Sequence, residues 1–294
     1  MTRHAVLGGI RLGDGLPPAV MGVLNVSPES FYRGSVHHLD DLLAAGERMV
    51  EAGAAILDVG AMSTAPYLST QIPESEEAER LAAAVERLAA KLGVPISADT
   101  SRAAPTRAAL EAGAVVINDV SGLSADPELA GLVARARAGL IVMASPGGNG
   151  ETPSGPQAPG SSSPLAAVTA LLGESLSRAR SAGIGEAHVV VDPAIGFFRG
   201  RGRSWVAWDC EILARLGELR VLGRPVCVGV SRKSFIGALL GQDDPGERLV
   251  GSLAATAVAV MNGAHMIRTH DVAETLQVVR VAQAIRQLSR ADEL

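Results

Sequence analysis

Polar residues that could do chemistry recur in this chain at one kind of position, the last residues of a short apolar run. Asn25 ends the first run, ahead of Val26-Ser27-Pro28-Glu29-Ser30-Phe31. Asp58-Val59-Gly60 ends the second, with Ser63-Thr64-Ala65-Pro66 behind it. Asp99-Thr100 ends the third, Asn118-Asp119 the fourth and Asp192-Pro193 the sixth. Ser231-Arg232-Lys233-Ser234 ends the seventh and Arg268-Thr269-His270-Asp271 the eighth. Taken singly, a strand-terminal Asp or Asn has an ordinary use, capping the helix that follows. Asp271 reads that way, and Asp58 and Asp119 could be structural as well. Their convergence says more. Brought to one rim, these amides, carboxylates, Lys, Arg and His suit a polar heterocycle below and a polyanion at the edge. A buried carboxylate accepts paired N–H bonds from a guanidine-like ring edge. Arg268 and His270, with Ser63 and Thr64, suit a diphosphate. The neutral amide of Asn25 can help hold Mg²⁺ against that diphosphate.

The elements that must position these groups follow a single cadence. The apolar runs predict strands over Ala19–Val26, Ala55–Val59, Pro95–Asp99, Val115–Val120, Leu140–Met143, His188–Asp192, Pro225–Val230 and His265–Thr269. Between them the pattern predicts helices over Leu39–Glu51, Glu74–Leu92, Pro105–Glu111, Pro127–Ala136, Pro164–Ala182, Trp208–Leu219, Gly246–Met261 and Ala273–Leu288. Strands alternating with helices in this way fit a single (β/α)₈ TIM barrel, which gathers every strand's C-terminal end at one face. An open doubly wound sheet stays possible, because a count of elements does not show closure. Two segments break the cadence. His4 to Leu16 predicts a short hairpin capping the barrel bottom, setting residues 1–17 apart. Residues 144–163, rich in Gly, Pro and Ser, predict a flexible loop, read as a disordered insertion in preference to a lid.

Bulk properties narrow the class. The chain has 294 residues, 47% hydrophobic and only 3% aromatic, so aliphatic side chains must fill the core of one barrel domain spanning 1–294. The net charge of −5, with scattered Lys and Arg, argues against a nucleic-acid surface. Cys210 and Cys227 have neither metal-ligand nor disulfide spacing, which suits a reducing compartment. No signal core or membrane-length apolar run is present, so a soluble cytoplasmic protein acting on small molecules is expected. The Ala- and Val-rich helices Gly246–Met261 and Ala273–Leu288 fit a subunit interface or barrel packing equally well.

Seven motifs then resemble one family, in its order, over roughly residues 18–280. They are Met21-Gly-Val-Leu-Asn25-Val-Ser-Pro28-Glu-Ser-Phe31, Ala98-Asp99-Thr100, Ile117-Asn118-Asp119-Val-Ser-Gly122, Asp192-Pro-Ala-Ile-Gly196-Phe197, Gly229-Val-Ser-Arg-Lys233-Ser-Phe-Ile-Gly237, Gly251-Ser-Leu-Ala-Ala255 and Arg268-Thr-His270-Asp271. The family is dihydropteroate synthase. The resemblance implies that Asp99, Asn118, Asp192 and Lys233 grip a pterin. Asn25, Arg268 and His270 would hold its diphosphate, with Asn25 near Mg²⁺, and Phe197, Lys233 and Ser234 would border an aryl amine. The implied reaction is displacement of diphosphate from the pterin's methylene carbon by p-aminobenzoate, in a homodimer.

Three segments depart from the family pattern. Arg33 replaces an acidic residue of the first loop. Ala61-Met62-Ser63-Thr64-Ala65-Pro66-Tyr67 lacks the second loop's usual carboxylate and arginine. Met143-Ala144-Ser145 stands for Met-His-Met. Loop drift and a bulkier, ribosyl-phosphate amine of methanopterin-type synthesis account for these changes equally well. A corrinoid-linked methyltransferase has less use for the Lys233 and Arg268 motifs, and a non-catalytic pterin-binding protein would not need the full set.

Overall fold

The computed structural model describes residues 3–27, 39–62, 72–145, 163–198 and 204–291. Its main sheet has eight strands: β3 (Ala19–Asn25), β4 (Ile56–Gly60), β5 (Ile96–Asp99), β6 (Val116–Asp119), β7 (Gly139–Met143), β8 (Val189–Asp192), β9 (Cys227–Gly229) and β10 (Met266–Thr269). They run parallel in sequence order, and β10 returns to lie between β3 and β9. The seam closes where Val191 bridges Val226 and its N–H donates to Pro225 O at 3.0 Å. The sheet is therefore a barrel and not an open doubly wound sheet.

Side chains of a strand alternate between faces, and here the two sets differ in polarity. Outward residues such as Leu57, Val59, Ala98, Ile117, Val142 and Val191 join the core beneath the helices. That outer ring consists of α1 (Leu39–Glu51), α2 (Glu74–Ala89), α3 (Ala103–Glu111), α4 (Leu129–Ala136), α5 (Pro164–Ser181), α6 (Trp205–Ala214), α7 (Ser234–Leu240), α8 (Leu249–Met261) and α9 (Val272–Ala291). In α2, Leu81, Ala84, Val85 and Leu88 recur at helical spacing and are buried. Its first turn carries Glu74, Glu76 and Glu77 and its last Arg87, matching the helix dipole at both ends.

Inward residues form two layers. At the N-terminal end, Met21, Ile56, Val116, Ile141, Val190, Cys227 and Met266 pack on Ala5, Leu7 and Leu12. Those three belong to the hairpin β1 (His4–Leu7) and β2 (Ile10–Gly13), which plugs the bottom as its sequence suggests. At the other end the inward positions turn polar. Asn25 lies beside Gly60, Gly60 beside Asp99 and Asp99 beside Asn118, while Met143 pairs with Asp192 and Gly229 with Arg268. The apolar floor supplies rigidity, and the polar layer above it opens to the C-terminal face.

The elements depart from expectation mainly after β8. The predicted helix Trp208–Leu219 is α6 followed by a 3-10 segment, Leu216–Leu222, broken at Arg215, whose φ of −111° is not helical. After β9 the chain forms α7, which the sequence reading missed. α7 is seven residues long with Gly at 237, too short and glycine-interrupted to show helical periodicity. The helix predicted from Gly246 starts at Leu249, behind a 3-10 turn opened by Pro245. Most of the predicted flexible loop, 146–162, lies outside the described residues.

Candidate active site

Asp58 sits at the centre of the barrel mouth and is fully buried. Its Oδ2 accepts from Asn118 Nδ2 at 2.9 Å and from Arg268 Nε at 2.6 Å. Arg268 Nη2 donates onward to Asp99 Oδ2 at 2.8 Å. One guanidinium thus bridges carboxylates from β4 and β5 while an amide from β6 braces the first. The acceptors are not exhausted. Oδ1 of both Asp58 and Asp99 is buried without a hydrogen-bond partner among the described residues. Buried polar atoms rarely stay unpaired, so this pair of oxygens is an unmet demand for N–H donors. Burial pushes the Asp99 carboxyl above the ordinary carboxylate range; Arg268 opposes the shift, and Asp58, Glu77 and Asp119 add to it. Burial by itself would lower the pKa of Arg268, but the charges of Asp58 and Asp99 outweigh it and hold the group cationic.

A second cluster lies across the mouth. Asp192, at the end of β8, accepts from Ala194 N at 2.7 Å, and burial raises its pKa against the pull of Lys233. Lys233 donates to Ile195 O and lies 4.5 Å from the ring centroid of Phe197, within cation–π range. The turn from Asp192 to Phe197 admits this only because residue 196 is glycine. Its φ is +82°, and a Cβ there would lie 2.8 Å from Lys233 Cδ. Gly196 N is itself anchored to buried Asp209 Oδ1 at 2.9 Å. Phe198 packs on Trp208 with ring centroids 5.1 Å apart, and Ser234 opens α7. Phe197 and Lys233 therefore lie side by side, with Ser234 next along the chain.

At the rim, His270 Nδ1 lies 2.9 Å from Ser231 Oγ. Burial, then the charges of Arg268, Arg232 and Lys233, lower the His270 pKa to about 3, so the ring is neutral near pH 7. Asn25 ends β3 beside Gly60, and a Cβ on Gly60 would come within 3.2 Å of Asn25 Oδ1. Glycine at 60 leaves the amide its room. Asn25 Oδ1 is a hard oxygen of the kind Mg²⁺ accepts. Among the described residues no group of three His, Cys, Asp or Glu could cage a metal.

The structure brings Asn25, Asp99, Asn118, Asp192, Phe197, Lys233, Ser234, Arg268 and His270 to the same end of the barrel. Ser63 and Thr64 lie outside the described residues, as do Arg33 and Ala65. Asp119 is structural: its carboxylate accepts from Ser121 N at 2.8 Å and Leu123 N at 2.6 Å, folding the loop after β6. Two further contributors are Asp58, which the sequence leaves open as structural, and Glu77. Asp58 was legible by parity, since Ile56, Asp58 and Gly60 share the inward face. Glu77 on α2 was not, because no local pattern announces it. It accepts from Thr100 Oγ1 at 2.6 Å and Arg102 Nη1 at 3.1 Å, and Arg102 also donates to Ile72 O at 2.9 Å. It thereby ties the segment after Asp99 to the end of the second loop.

Known proteins share both this sequence and this frame. The sequence profile of the family described as pterin binding enzyme matches residues 21–270. The chain is 39% identical over 269 residues to dihydropteroate synthase of Escherichia coli strain K12, covering 91% of each. Its structure resembles that of the Yersinia pestis dihydropteroate synthase solved with a sulfonamide drug complex, with a TM-score of 0.86 at 35% identity, covering 97% of this chain and 99% of the other. The Xanthomonas albilineans dihydropteroate synthase solved with 4-aminobenzoic acid gives a TM-score of 0.82 at 36% identity, with the same 97% and 99% coverage.

Proposed function

The chain belongs to the dihydropteroate synthase family of pterin-binding enzymes, and on that basis we propose that it joins a pterin to p-aminobenzoate. The amine nitrogen attacks the methylene carbon of 6-hydroxymethyl-7,8-dihydropterin diphosphate, the C–O bond breaks, diphosphate leaves, and the nitrogen's surplus proton passes to solvent or the departing diphosphate. The observation that carries the reading is the pair of buried oxygens on Asp58 and Asp99 that have no hydrogen-bond partner among the described residues. They ask for a ligand with adjacent N–H donors on a flat edge, as a pterin presents. Asn118 and Asp192 supply further hydrogen-bonding groups, and Lys233 a cation beside them. The 4-aminobenzoic acid held by the Xanthomonas albilineans relative supports the choice of amine.

The chain's own groups suit a transition state that is cationic at carbon and anionic at the leaving oxygen. Asp99 and Asp192 stabilise the first charge; Arg268 and His270 would face the second, with the His270 ring donating as a neutral group. Arg268 shields Asp58 and Asp99 from each other. No strong base is needed, since an aryl amine is a free nucleophile at neutral pH. Phe197, Lys233 and Ser234 would line the amine's side. Asn25 would hold Mg²⁺, which when bound supplies charge against the departing diphosphate.

The test is diphosphate release from the pterin diphosphate with Mg²⁺ and either p-aminobenzoate or its ribosyl-phosphate derivative. Turnover with p-aminobenzoate is expected. Turnover with the ribosylated amine alone would move the chain to methanopterin-type synthesis, and silence with both would leave a binding protein. A chelator is expected to abolish release, with added Mg²⁺ restoring it. Cys210 and Cys227 are both free thiols, which supports a reducing, cytoplasmic setting. Among the described residues no helix is long and apolar enough to cross a membrane.

A further inference from the structure

The motif Ser231-Arg232-Lys233-Ser234 leaves Arg232 without a part in this reaction, and the loop after β10 leaves Asp271. Asp271, expected from sequence to cap a helix, turns its side chain instead to the neighbouring loop. Arg232 Nε donates to Asp271 Oδ2 at 2.9 Å and Nη2 to Oδ1 at 2.6 Å, a two-bond guanidinium–carboxylate fork. Arg232 Nη1 donates to the carbonyl oxygens of Pro245 and Gly246 at 2.9 and 2.8 Å. The backbone of Arg232 is held as firmly. Its N–H donates to Ser252 Oγ at 2.7 Å, and its carbonyl accepts from Arg248 Nη1 at 3.1 Å. Ser252 Oγ in turn donates to Arg248 O at 2.7 Å.

These contacts enforce a costly backbone. Arg232 has φ +56°, a left-handed conformation that is strained for a non-glycine residue and survives only where its surroundings over-determine it. The residues flanking it both reach into the site, Ser231 to His270 and Lys233 to Ile195 O beside Asp192. Asp271 is the immediate neighbour of His270. One pair therefore fixes two adjacent strand ends that each carry a group of the proposed chemistry. A buried ion pair is weak evidence for stability as such, because desolvating two charges offsets their attraction. With side chains only 7% and 15% exposed and the fork fully bonded, geometry is the better account of this one.

We propose that the Arg232–Asp271 pair is a positioning device, fastening the loop after β9 to the loop after β10 so that Lys233 and His270 meet the substrate at a fixed separation. The inference rests on the roles assigned above to Lys233 and His270. Its test compares Asp271→Asn, Arg232→Lys and the double variant with the parent. Steady-state kcat and KM, thermal melting and the His270 ring resonances of the ligand-free protein are measured. Each single variant is expected to lose kcat by about tenfold to a hundredfold, the scale of an ångström's misplacement, with smaller changes in KM. The double variant should be no worse than the worse single one, since the two side chains act as a unit. The His270 signals should shift in both single variants.

Lower melting temperatures with parental kcat and KM, measured where the variants remain folded, would overturn the proposal. So would unmoved His270 signals. If Asp271→Asn does not fold, Asp271→Glu decides, because it keeps the charge and displaces the carboxylate by one methylene. Reduced kcat supports positioning and parental kcat sinks it. An inactive parent would count against the reaction assigned above and not against the pair, which the His270 resonances still report.

Discussion

At the residue scale the site is a balance of buried charge. Among the described residues Asp58 has two donors on one oxygen and none on the other, so its charge serves Arg268 and Asn118. Asp58→Asn keeps the shape and removes that charge. A loss of kcat/KM of about tenfold to a thousandfold is expected, consistent with ~1.4–4 kcal/mol for a group aimed at the reacting ligand. Unchanged kinetics would return Asp58 to a structural role. Asp99 makes a different prediction, in pH. Its pKa is raised by burial, and its ionised form is the one that favours a cationic carbon. Activity should therefore fall on acidification through a limb lying above the ordinary carboxylate value of about 4. Asp99→Asn should remove that limb as well as most of the rate; a limb that persists in the variant assigns it to another group. Most of these residues were legible from the sequence because they stand at strand ends, where a barrel collects function. Asp58 was passed over because capping is an equally good use of an isolated carboxylate, and only neighbours from other strands distinguish the two. The Asp271 fork was illegible for the same reason, since its partner lies 39 residues away.

At the scale of elements, the eight-fold alternation was plain because each parallel strand is an aliphatic run buried on both faces. What failed were short elements whose existence depends on tertiary contact. α7 starts beside the strained Arg232 and packs Gly237 so closely on Arg248 that a Cβ would lie 2.6 Å from Nε. No seven-residue pattern encodes such a contact. The hairpin plug carries a prediction of its own. Asp14 accepts from Arg3 Nη2 at 2.6 Å, and His265 Nε2 lies 3.2 Å from Asp14 Oδ1. His265 Nδ1 accepts from Val226 N at 3.1 Å, so Nε2 carries the proton and the neutral ring links plug to seam. Burial, then Arg3, lowers the His265 pKa to about 4 despite Asp14. The unfolded chain binds a proton below about 6.5 and the folded one does not until about 4. Stability from this group is thus complete above 6.5 and falls with pH across that window, by a few kcal/mol at most. Asp14 acts in the same direction at lower pH, its hydrogen bonds to Arg3 and His265 outweighing burial. Thermal melts at pH 7 and 4.5 should differ by several degrees, and His265→Gln should shrink the difference. An unaltered difference would place the acid sensitivity elsewhere. Gly196→Ala is a second test at this scale. A Cβ would strike Lys233 at an unfavourable φ, so kcat should drop while the barrel melts within a few degrees of the parent.

Closure and assembly belong to the whole molecule and could not be read from a list of elements. Among the described residues closure is made where Val191 meets Pro225 and Val226, a contact that no strand pattern foretells. Assembly is argued from what the barrel leaves uncovered. α8, Leu249–Met261, contains no charged residue along thirteen positions. Its outward residues Val250, Val258 and Met261 are exposed, as are Val281, Ile285 and Leu288 on the adjoining α9 and Leu239 and Leu240 at the end of α7. On each of α8 and α9 the exposed positions recur at helical spacing, so they form stripes and not scattered points. A contiguous apolar surface of this kind marks an interaction site on an otherwise charged molecule. A self-complementary pair of stripes suits two-fold pairing with a second copy. A homodimer is therefore expected, with twice the chain mass in light scattering. Val250→Glu combined with Val281→Glu should place four like charges in that interface and give a folded monomer. Because the stripes lie on the outer helices while Lys233 and Arg268 point into the barrel, the monomer should retain turnover. A parent that is already monomeric at micromolar concentration would remove the dimer, and a charged variant that stays dimeric would move the interface to another face.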